Sequence, residues 1–302
     1  MKKVCVILSA YNGDKYIEEQ IKSILDQSGV DLKLIIRNDG STDKTGMIIN
    51  KFSDNNRVTI VHGENIGYCM SFITALSLAP KSDYYAFADQ DDIWLEEKLK
   101  SAIYNLENIE SSGSKLYASS LTVVDKKLNY IKTKNYDDIR ITLGSALSRQ
   151  RIAGCTMVFN DQLRSLIIKA INYSKNRFGH DGWAYLLCLA TGGSVVIDSN
   201  SYILYRRHEN TETSGGGRLF SKIKRELMNF TKYRNTQLDA TRFIVDHYSN
   251  CLTDDSKKLL NTIYSYNRRW TDKVKLIFSG KMSTGIIKLD ILNKIYITFN
   301  CF

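Results

Sequence analysis

The regular alternation of apolar strands with amphipathic helices constrains this sequence most strongly. Residues 4–8 form a continuous apolar run, as expected of a strand covered on both faces. Ile17–Leu25 carries apolar residues at helical spacing, and residues 32–37 form a second apolar strand. A third strand at residues 57–61 and a helix ending before Pro80 repeat the unit. This rhythm predicts an α/β fold, with a mostly parallel sheet between helices and ligands bound at the carboxyl ends of the strands.

Three carboxylates lie within four residues directly after a buried strand. The strand is Tyr84–Ala88, and Asp89, Asp91 and Asp92 follow it. Two carboxylates in an Asp-x-Asp turn can hold a hard divalent cation that keeps open positions for substrate phosphates. We interpret Asp92 as the N-cap of a helix over residues 93–109; the alternative for the other two is solvation beside that helix's positive end. We favour a binding role for Asp89 and Asp91, so a metal and a diphosphate form the first hypothesis.

The second half of the chain predicts further strands and helices and then a helical end. Strands are expected at residues 115–122, 128–132, 152–159, 194–197 and 202–205, and helices at residues 138–147, 161–171 and from His180 onward. A polar, glycine-rich loop follows at residues 209–217. We therefore predict one α/β domain over residues 1–215 and a basic, mainly helical C-terminal region over residues 216–302.

Several common nucleotide and metal signatures are absent from the sequence. No Gly-x-Gly-x-x-Gly follows the first strand and no Gly-Lys-Ser/Thr phosphate loop is present, so a metal and side chains are expected to hold the phosphates. The six cysteines form no Cys-x-x-Cys pair and no zinc-type spacing with histidine, and we interpret them as reduced thiols of a cytosolic protein. No apolar run approaches the length of a bilayer span.

Positive charge is concentrated in the C-terminal region. The net charge of the chain is +10, and residues 216–302 contain 16 Lys and Arg against 7 Asp and Glu. Basic and apolar side chains are interleaved there, as in residues 273–278 and 286–291, which favours contact with an anionic membrane surface. An ordinary helical subdomain with a solvated basic face is the alternative. Nucleic-acid binding is not expected, because no zinc-finger, helix-turn-helix or ribonucleoprotein signature accompanies the charge.

Four ordered motifs carry a resemblance to a known family. They are Val6-Ile7-Leu8-Ser9-Ala10-Tyr11-Asn12-Gly13, Ile21-Lys22-Ser23-Ile24-Leu25-Asp26-Gln27, Arg37-Asn38-Asp39-Gly40-Ser41-Thr42-Asp43 and Ala88-Asp89-Gln90-Asp91-Asp92-Ile93-Trp94. Together they resemble the family 2 glycosyltransferases, inverting enzymes of the GT-A fold, over residues 3–210. The last motif, with residues 154–157 and 180–181, is similar to the bacterial rhamnosyltransferase-like branch that builds surface polysaccharides such as capsule and O-antigen.

The resemblance implies donor contacts after the first strands. Ala10, Tyr11 and Asn12 would bind the nucleotide, with the Tyr11 ring against the base, and Asp39 would accept the imide N–H of uracil or thymine. These contacts favour a dTDP- or UDP-sugar donor. Asp89 would contact the ribose or the metal. From the residues alone, Tyr11 is equally a half-buried core aromatic and Asp39 equally a turn or capping residue.

The resemblance also implies a metal and a phosphate clamp. Asp89 and Asp91 would bind Mg²⁺ or Mn²⁺, and His208 would be a third ligand. Arg206 or Arg207 would contact the diphosphate. An exposed basic strand end is the alternative interpretation of these last three residues.

Asp181 matches the position of the family's general base. An inverting displacement requires a group that takes the proton of the acceptor hydroxyl while that hydroxyl attacks the anomeric carbon from the opposite face. The competing interpretation is that Asp181 caps the helix that follows it. His180 either tunes Asp181 or only packs.

The resemblance predicts a glycosyltransferase that adds one sugar per encounter, because Arg269-Trp270 lacks the Gln of processive members and Tyr266 stands in its place. The donor would be a dTDP- or UDP-sugar, with rhamnose as one candidate, and the acceptor a hydroxyl of a growing, polyprenyl-diphosphate-linked glycan. The enzyme would be cytoplasmic and peripheral on the inner face of the cell membrane. The alternatives are a non-catalytic nucleotide- or glycan-binding scaffold of a polysaccharide assembly complex, and a sugar nucleotidyltransferase. The missing phosphate loop disfavours the latter.

Overall fold

A computed structural model describes residues 1–148, 152–172, 179–207 and 235–302. The chain divides into two compact units, one built from residues 1–137, 152–188 and 193–208 and the other from residues 138–151, 189–192 and 209–302. The first unit contains the sheet and those predicted site residues that the structure describes. The predicted boundary between residues 215 and 216 falls outside the described residues and stays a prediction.

The elements alternate between strand and helix before a helical end. In chain order they are β1 (Lys2–Ala10), α1 (Ile17–Leu25), β2 (Val30–Asp39), α2 (Thr45–Asn50), β3 (Val58–Gly63), α3 (Tyr68–Ser77), β4 (Tyr84–Ala88), β5 (Ile93–Trp94), α4 (Lys98–Glu107), β6 (Lys115–Val124), β7 (Tyr130–Lys134), α5 (Leu143–Ser148), a 3₁₀ turn (Gly154–Thr156), β8 (Val158–Asn160), α6 (Asp161–Ile167), a second 3₁₀ turn (Ile168–Asn172), α7 (Gly179–Ala190), β9 (Ser194–Arg206), α8 (Thr236–Tyr248), a third 3₁₀ turn (Ser249–Cys251), α9 (Asp254–Ser265), α10 (Trp270–Phe278) and α11 (Ile287–Thr298).

The strands form one mixed sheet. Its order is β3-β2-β1-β4-β8-β6-β9-β5, and β7 pairs with β6. The first four strands in this order are parallel to one another, as the alternation predicted. β8 is antiparallel to both of its neighbours, and β5 and β7 are also antiparallel to their partners. The predicted α/β architecture is therefore confirmed, with a parallel half and a mixed half.

The central strands place the predicted donor residues at one edge of the sheet. In the register of the parallel half, Ala10 of β1 lies opposite Asn38 of β2, and Leu8 lies opposite Ala88 of β4. Residues 4–8 are completely buried because helices cover both faces of this strand. Parallel strands end at the same edge, so Tyr11, Asp39 and the acidic residues after Ala88 are brought to that edge.

The prediction that Asp92 caps a helix over residues 93–109 is wrong. Ile93 and Trp94 instead form β5, which pairs with Leu204 and Ile203 of β9, and the helix begins only at Lys98. Asp92 is completely buried, and its Oδ1 accepts a hydrogen bond from the backbone N–H of a β9 residue rather than from a helix amide. A pairing across more than a hundred residues thus overrides the local helical pattern.

Four other predicted elements differ in extent. The strand predicted at residues 152–159 is a 3₁₀ turn followed by the short strand β8, because Gly154 and its neighbours make local turn hydrogen bonds. The two strands predicted between residues 194 and 205 are one continuous strand, β9, with irregular register against β6. The helix predicted at residues 138–147 begins at Leu143.

The described part of the second unit is helical. Its described core contains Leu238 and Ile244 of α8, Leu260 and Ile263 of α9, and the C-terminal residue Phe302. α5 also belongs to this unit, since the Ser148 hydroxyl donates to the Met282 carbonyl oxygen at 3.0 Å. In the described parts of the chain, no helix combines the length and the apolar character needed to cross a lipid bilayer.

Candidate active site

The loop after β1 is fixed by its neighbours and leaves the Tyr11 ring outside the core. Gln90 bonds the Tyr11 backbone twice, accepting its N–H at 2.8 Å and donating to its carbonyl at 3.0 Å. The Asn12 Oδ1 accepts the Thr42 N–H at 2.8 Å, and the Asn12 N–H donates to the Ser41 hydroxyl at 3.1 Å. The Tyr11 side chain is 46% exposed, so its ring is available to stack on a base.

Asp39 is buried at the carboxyl end of β2 and holds the loop before α3. It forms an ion pair with the buried guanidinium of Arg37. Its two carboxylate oxygens also accept the backbone N–H groups of Ile66 and Gly67, each at 3.1 Å. A carboxylate offers about four acceptor positions, so Asp39 retains capacity for one further donor such as an imide N–H. Its predicted contact with the base stays a prediction.

Asp89, Asp92 and Cys155 converge at the end of β4. One potential ligand atom from each of the three lies within 4.8 Å of the other two. The Asp92 Oδ2 atom is buried without a hydrogen-bond partner among the described residues, as a missing cation would leave it. Burial raises the pKa of Asp92 well above its usual range, and the neighbouring charges of Asp91 and Asp89 raise it further. The Asp92 carboxyl is therefore unfavourable as an anion until a cation compensates its charge.

Only some of these side chains are suitable ligands for a hard cation. The carboxylate oxygens of Asp89, Asp91 and Asp92 are the ligands that Mg²⁺ and Mn²⁺ prefer. Burial and the nearby carboxylates raise the pKa of the Cys155 thiol, which keeps it protonated and makes it a poor ligand for these ions. The carboxylates of Asp89 and Asp92 thus fit a metal and Cys155 packs beside them, whereas Asp91 is not one of the three converging residues and its predicted role as a ligand stays a prediction. The third predicted ligand, His208, lies outside the described residues.

Lys98 is a buried cation close to this cluster. Its Nζ atom has no hydrogen-bond partner in the described chain and lies 4.0 Å from the centroid of the Trp94 ring. Burial lowers the pKa of Lys98 to about 7, against the opposing effect of the charges at Cys155 and Asp92. With a pKa of about 7, Lys98 carries only part of a positive charge at neutral pH.

Arg206 is buried at the end of β9 and makes several contacts within the protein. Its guanidinium donates to Glu19 at 2.6 Å, to the Asp91 carbonyl at 3.0 Å and to the Lys126 carbonyl at 3.2 Å. It also lies over the ring of Tyr16. These contacts hold in place the backbone of residues 89–92, which we call the acidic turn. A contact with phosphate would require Arg206 to exchange some of them, so its predicted clamping role stays a prediction, as does that of Arg207.

Asp181 lies in the first turn of α7, partly buried. Its Oδ1 accepts the N–H of the adjacent Gly182 at 2.8 Å, and the helix already begins at Gly179, so this is not the contact of an N-cap residue, which bonds an N–H two or three positions further on. Burial raises the pKa of Asp181 to about 6, although backbone N–H groups, including that of Gly154, act to lower it. A carboxylate with a raised pKa is a better proton acceptor than an exposed one.

His180 contributes packing beside Asp181. Its ring stacks on Phe72 with a centroid separation of 3.8 Å and meets the edge of Phe87 at 4.5 Å. Burial lowers the pKa of His180 to about 3, so the ring is neutral at physiological pH. Of the two roles considered from sequence, the packing role agrees with these contacts.

The 3₁₀ turn Gly154–Thr156 connects the acidic cluster with Asp181. Cys155 lies against Asp89 and Asp92, while the adjacent Gly154 lies against His180 and Asp181. A Cβ atom on Gly154 would lie 2.7 Å from the His180 Nε2 and 3.0 Å from the Asp181 Cβ. The absence of a side chain at Gly154 therefore allows Asp181 to pack against the same short turn whose next residue, Cys155, lies near Asp89 and Asp92.

Gly154→Ala is expected to lower sugar-transfer activity by about 100-fold, because a displacement near 1 Å at a catalytic group costs that much. The stacked His180 ring has no room to move away, so the added methyl group displaces Asp181. The matched control is Gly113→Ala, whose new Cβ would meet only the Ser111 hydroxyl at 3.6 Å. Steady-state turnover of both variants checks this prediction, and equal rates would contradict it.

Sequence reasoning missed several residues that shape this site. Gln90, which clamps the Tyr11 backbone, lies inside a motif that was noted for its carboxylates only. Glu19 and Lys98 carried no local signal, because their partners are distant in sequence. Cys155 lies in a stretch that contributed to the resemblance, but no role was predicted for it. The sequence indicated Asp92, but as a helix cap.

Comparison with known proteins agrees with this geometry. The family model "Glycosyl transferase family 2" matches residues 5–165. The dTDP-rhamnosyl transferase RfbG of Shigella flexneri is 29% identical over 265 residues, which cover 82% of this chain and 86% of the relative. The UDP-Glc:alpha-D-GlcNAc-diphosphoundecaprenol beta-1,3-glucosyltransferase WfaP of Escherichia coli is 36% identical over 107 residues, or 35% of this chain and 42% of the relative.

A solved structure also shares the fold. The crystal structure of S. aureus TarS 1-349 in complex with UDP-GlcNAc aligns with 99% of this chain and 83% of its own chain, with a TM-score of 0.58 and 15% sequence identity. At this identity the likeness concerns the fold alone, and it agrees with the mixed sheet and flanking helices described above.

Proposed function

The chain belongs to glycosyl transferase family 2, and from this premise we propose that it is an inverting, metal-dependent enzyme that adds a single sugar to a growing surface polysaccharide. The predicted family and the GT-A fold are confirmed. The observation that carries the proposal is the short turn Gly154–Thr156, whose Cys155 lies near Asp89 and Asp92 and whose Gly154 lies against Asp181. Membership of an enzyme family favours transfer over the scaffold and nucleotidyltransferase alternatives.

In the proposed mechanism, Asp181 takes the proton of the acceptor hydroxyl. The hydroxyl then attacks the anomeric carbon, and the nucleoside diphosphate leaves on the opposite face of the sugar, which inverts the anomeric configuration. Asp89 and Asp91, with the neighbouring Asp92, would hold Mg²⁺ or Mn²⁺. The ion, when bound, neutralises negative charge on the leaving diphosphate. Tyr11 and Asp39 would fix the pyrimidine base.

The donor is proposed to be a dTDP- or UDP-sugar. A relative that aligns with most of this chain is a dTDP-rhamnosyl transferase, which makes dTDP-rhamnose the first candidate. The name of WfaP, which aligns with a shorter part of this chain, includes UDP-Glc, and the TarS structure is a complex with UDP-GlcNAc. All three concern pyrimidine nucleotides, in agreement with the imide contact proposed for Asp39.

The acceptor is proposed to be a glycan on a polyprenyl diphosphate, of the kind used in capsule or O-antigen synthesis. The name of WfaP includes a diphosphoundecaprenol acceptor, which supports this choice. The enzyme would then work at the inner face of the cell membrane, with the basic region 216–302 directed to the anionic lipid surface.

Calorimetric titration of the protein with UDP-, dTDP- and GDP-sugars, with and without Mn²⁺, tests the donor proposal. We expect binding of a pyrimidine nucleotide that requires the metal, and binding of the guanine nucleotide weaker by about tenfold or more, since its base cannot reproduce the pyrimidine contacts. Equal binding of all three bases would overturn the assigned donor class. Binding that ignores Mn²⁺ would overturn the metal dependence.

A further inference from the structure

Helix α10 exposes a row of large apolar side chains. Trp270, Val274 and Phe278 recur every four residues and so lie along one side of the helix. Trp270 is 75% exposed and Phe278 is 78% exposed. The buried residues of this helix, Asp272 and Leu276, lie on its opposite side. The arrangement is the reverse of an ordinary surface helix, which directs polar side chains away from its core.

Helix α11 repeats this arrangement. Ile287, Ile291 and Ile295 also recur every four residues and are exposed, the first of them to 77%. Phe299 continues the row one residue past the helix and is exposed as well. The buried residues Asn293, Tyr296 and Ile297 occupy the other side of the helix. We call these two rows the apolar stripes.

The two stripes belong to neighbouring helices. The Lys273 ammonium group, on α10, donates to the carbonyl of Thr298 near the end of α11 at 3.3 Å. Lys273 precedes Val274 on the edge of the first stripe, so this bond joins that edge to the end of the second stripe. Single exposed apolar residues are common on soluble proteins, but seven on two adjacent helices form a patch that indicates an interaction surface.

The charges around the apolar stripes indicate which kind of surface they bind. Residues 268–299 contain seven Lys or Arg and two Asp. Both aspartates are engaged within the protein: Asp272 accepts from Ser265 and Lys275, and Asp290 accepts from Ser283 and Thr284. Besides Lys275, five basic side chains are exposed, namely Arg268, Arg269, Lys281, Lys288 and Lys294. The surface therefore combines apolar side chains with uncompensated positive charge.

We propose that α10 and α11 bind an anionic lipid bilayer by inserting the two apolar stripes at the level of the headgroups. An amphipathic helix with aromatic and aliphatic residues on one face and flanking lysines lies in this way in the membrane interface. The helices have 9 and 12 residues and are too short to span the hydrocarbon core. Pairing with a second copy is disfavoured, because a symmetric contact would place like charges against one another.

This inference rests on the proposed function only for the location of the membrane, and it adds the residues that make the contact. The basic charge alone predicts a weak, salt-sensitive association. Insertion of the stripes predicts in addition an apolar contribution that persists at higher salt, because salt screens the charges but leaves apolar burial in place.

Trp270 provides a direct optical test. The chain has three tryptophans, and Trp94 and Trp183 are buried whereas Trp270 is exposed. Vesicles containing phosphatidylglycerol are expected to shift the fluorescence of the full-length protein to shorter wavelength, because the Trp270 indole leaves water. Trp270→Phe should abolish the shift and retain vesicle binding. The absence of a shift in the wild-type protein would overturn insertion.

Vesicle sedimentation tests the stripes as a set. The triple variant Trp270→Ser, Phe278→Ser, Ile291→Ser is expected to bind phosphatidylglycerol vesicles about tenfold more weakly or worse. The matched control replaces three exposed apolar residues of the first unit, Met47, Leu78 and Tyr104, by Ser and should bind as the wild type does. Lys281→Gln, Lys288→Gln and Lys294→Gln together should remove the preference for phosphatidylglycerol over phosphatidylcholine.

Three results would overturn the proposal. The first is equal vesicle binding by the stripe variant and the wild type, and the second is equal binding of the wild type to neutral and anionic vesicles. The third is that the wild type does not bind vesicles but forms a concentration-dependent dimer, which the stripe variant does not form. Calorimetric nucleotide binding by the stripe variant should be unchanged, which shows that the variant is folded. The same measurement separates failure of the membrane surface from failure of the proposed transferase.

Discussion

Asp181→Asn is expected to lower the turnover of sugar transfer by about 100-fold to 10,000-fold, the usual contribution of a general base. Asn has nearly the shape of Asp and can keep the hydrogen bond from the Gly182 N–H, but it cannot take a proton. The donor does not depend on that proton transfer, so its calorimetric affinity should not change. Loss of donor binding in this variant would show that Asp181 has a structural role and would contradict the assignment.

The pH dependence gives an independent readout. Burial raises the pKa of Asp181 to about 6, and only the ionised form accepts a proton. The rate of the wild type should therefore rise with pH below about 6 and level off above it, whereas the residual rate of Asp181→Asn should lack this acid limb. An acid limb that persists unchanged in the variant would assign the base to another residue.

The same group has a predictable effect on stability. The pKa of Asp181 is 3.8 in the unfolded chain and about 6 in the folded chain. The folded state therefore binds more protons between pH 3.8 and pH 6, and its stability falls as the pH rises through that window. Above pH 6 the ionised carboxyl destabilises the fold by at most about 3 kcal/mol, less where solvent reaches it. Asp181→Asn should thus lose activity at pH 7 while its free energy of unfolding, measured by urea denaturation, stays equal or increases.

The parallel half of the fold and the donor residues could be predicted from local pattern. Continuous apolar runs at residues 4–8, 34–36 and 84–88 mark strands buried on both faces, and such strands end at one edge of a parallel sheet. Tyr11, Asp39 and Asp89 each follow one of these strands, so their convergence needs no knowledge of distant contacts.

The mixed half of the sheet could not be predicted in this way. β5 is two residues long and exists because it pairs with β9, about 110 residues later in the chain. The same long-range pairing buries Asp92 and brings Arg206 to the acidic turn, where it meets Glu19, 187 residues away in sequence. No hydrophobic periodicity and no capping motif in the local sequence encodes these contacts. The prediction that Asp92 is a helix cap is wrong for this reason.

Asp91→Ala is expected to weaken Mn²⁺-dependent binding of the nucleotide donor by about 100-fold, because loss of one carboxylate removes several kcal/mol of cation stabilisation. The fold should survive the change. Arg206 bonds the backbone carbonyl of Asp91, which Ala retains, and the loss of one of three crowded carboxylates relieves the repulsion that raises the pKa of Asp92. Calorimetry with and without Mn²⁺ measures both the affinity and its dependence on metal.

The matched control for this variant is Asp31→Ala. Asp31 is an exposed carboxylate near the amino end of β2, whereas the acidic cluster follows the carboxyl end of the parallel strands. Removing it changes the net charge equally but should leave metal-dependent donor binding as in the wild type. If Asp91→Ala also binds as the wild type does, Asp91 is only a solvated neighbour, and Asp89 with Asp92 would be the carboxylates that hold the ion. Asp92→Asn would then show the loss instead, since the unpartnered Oδ2 of Asp92 is the buried atom that most needs a cation.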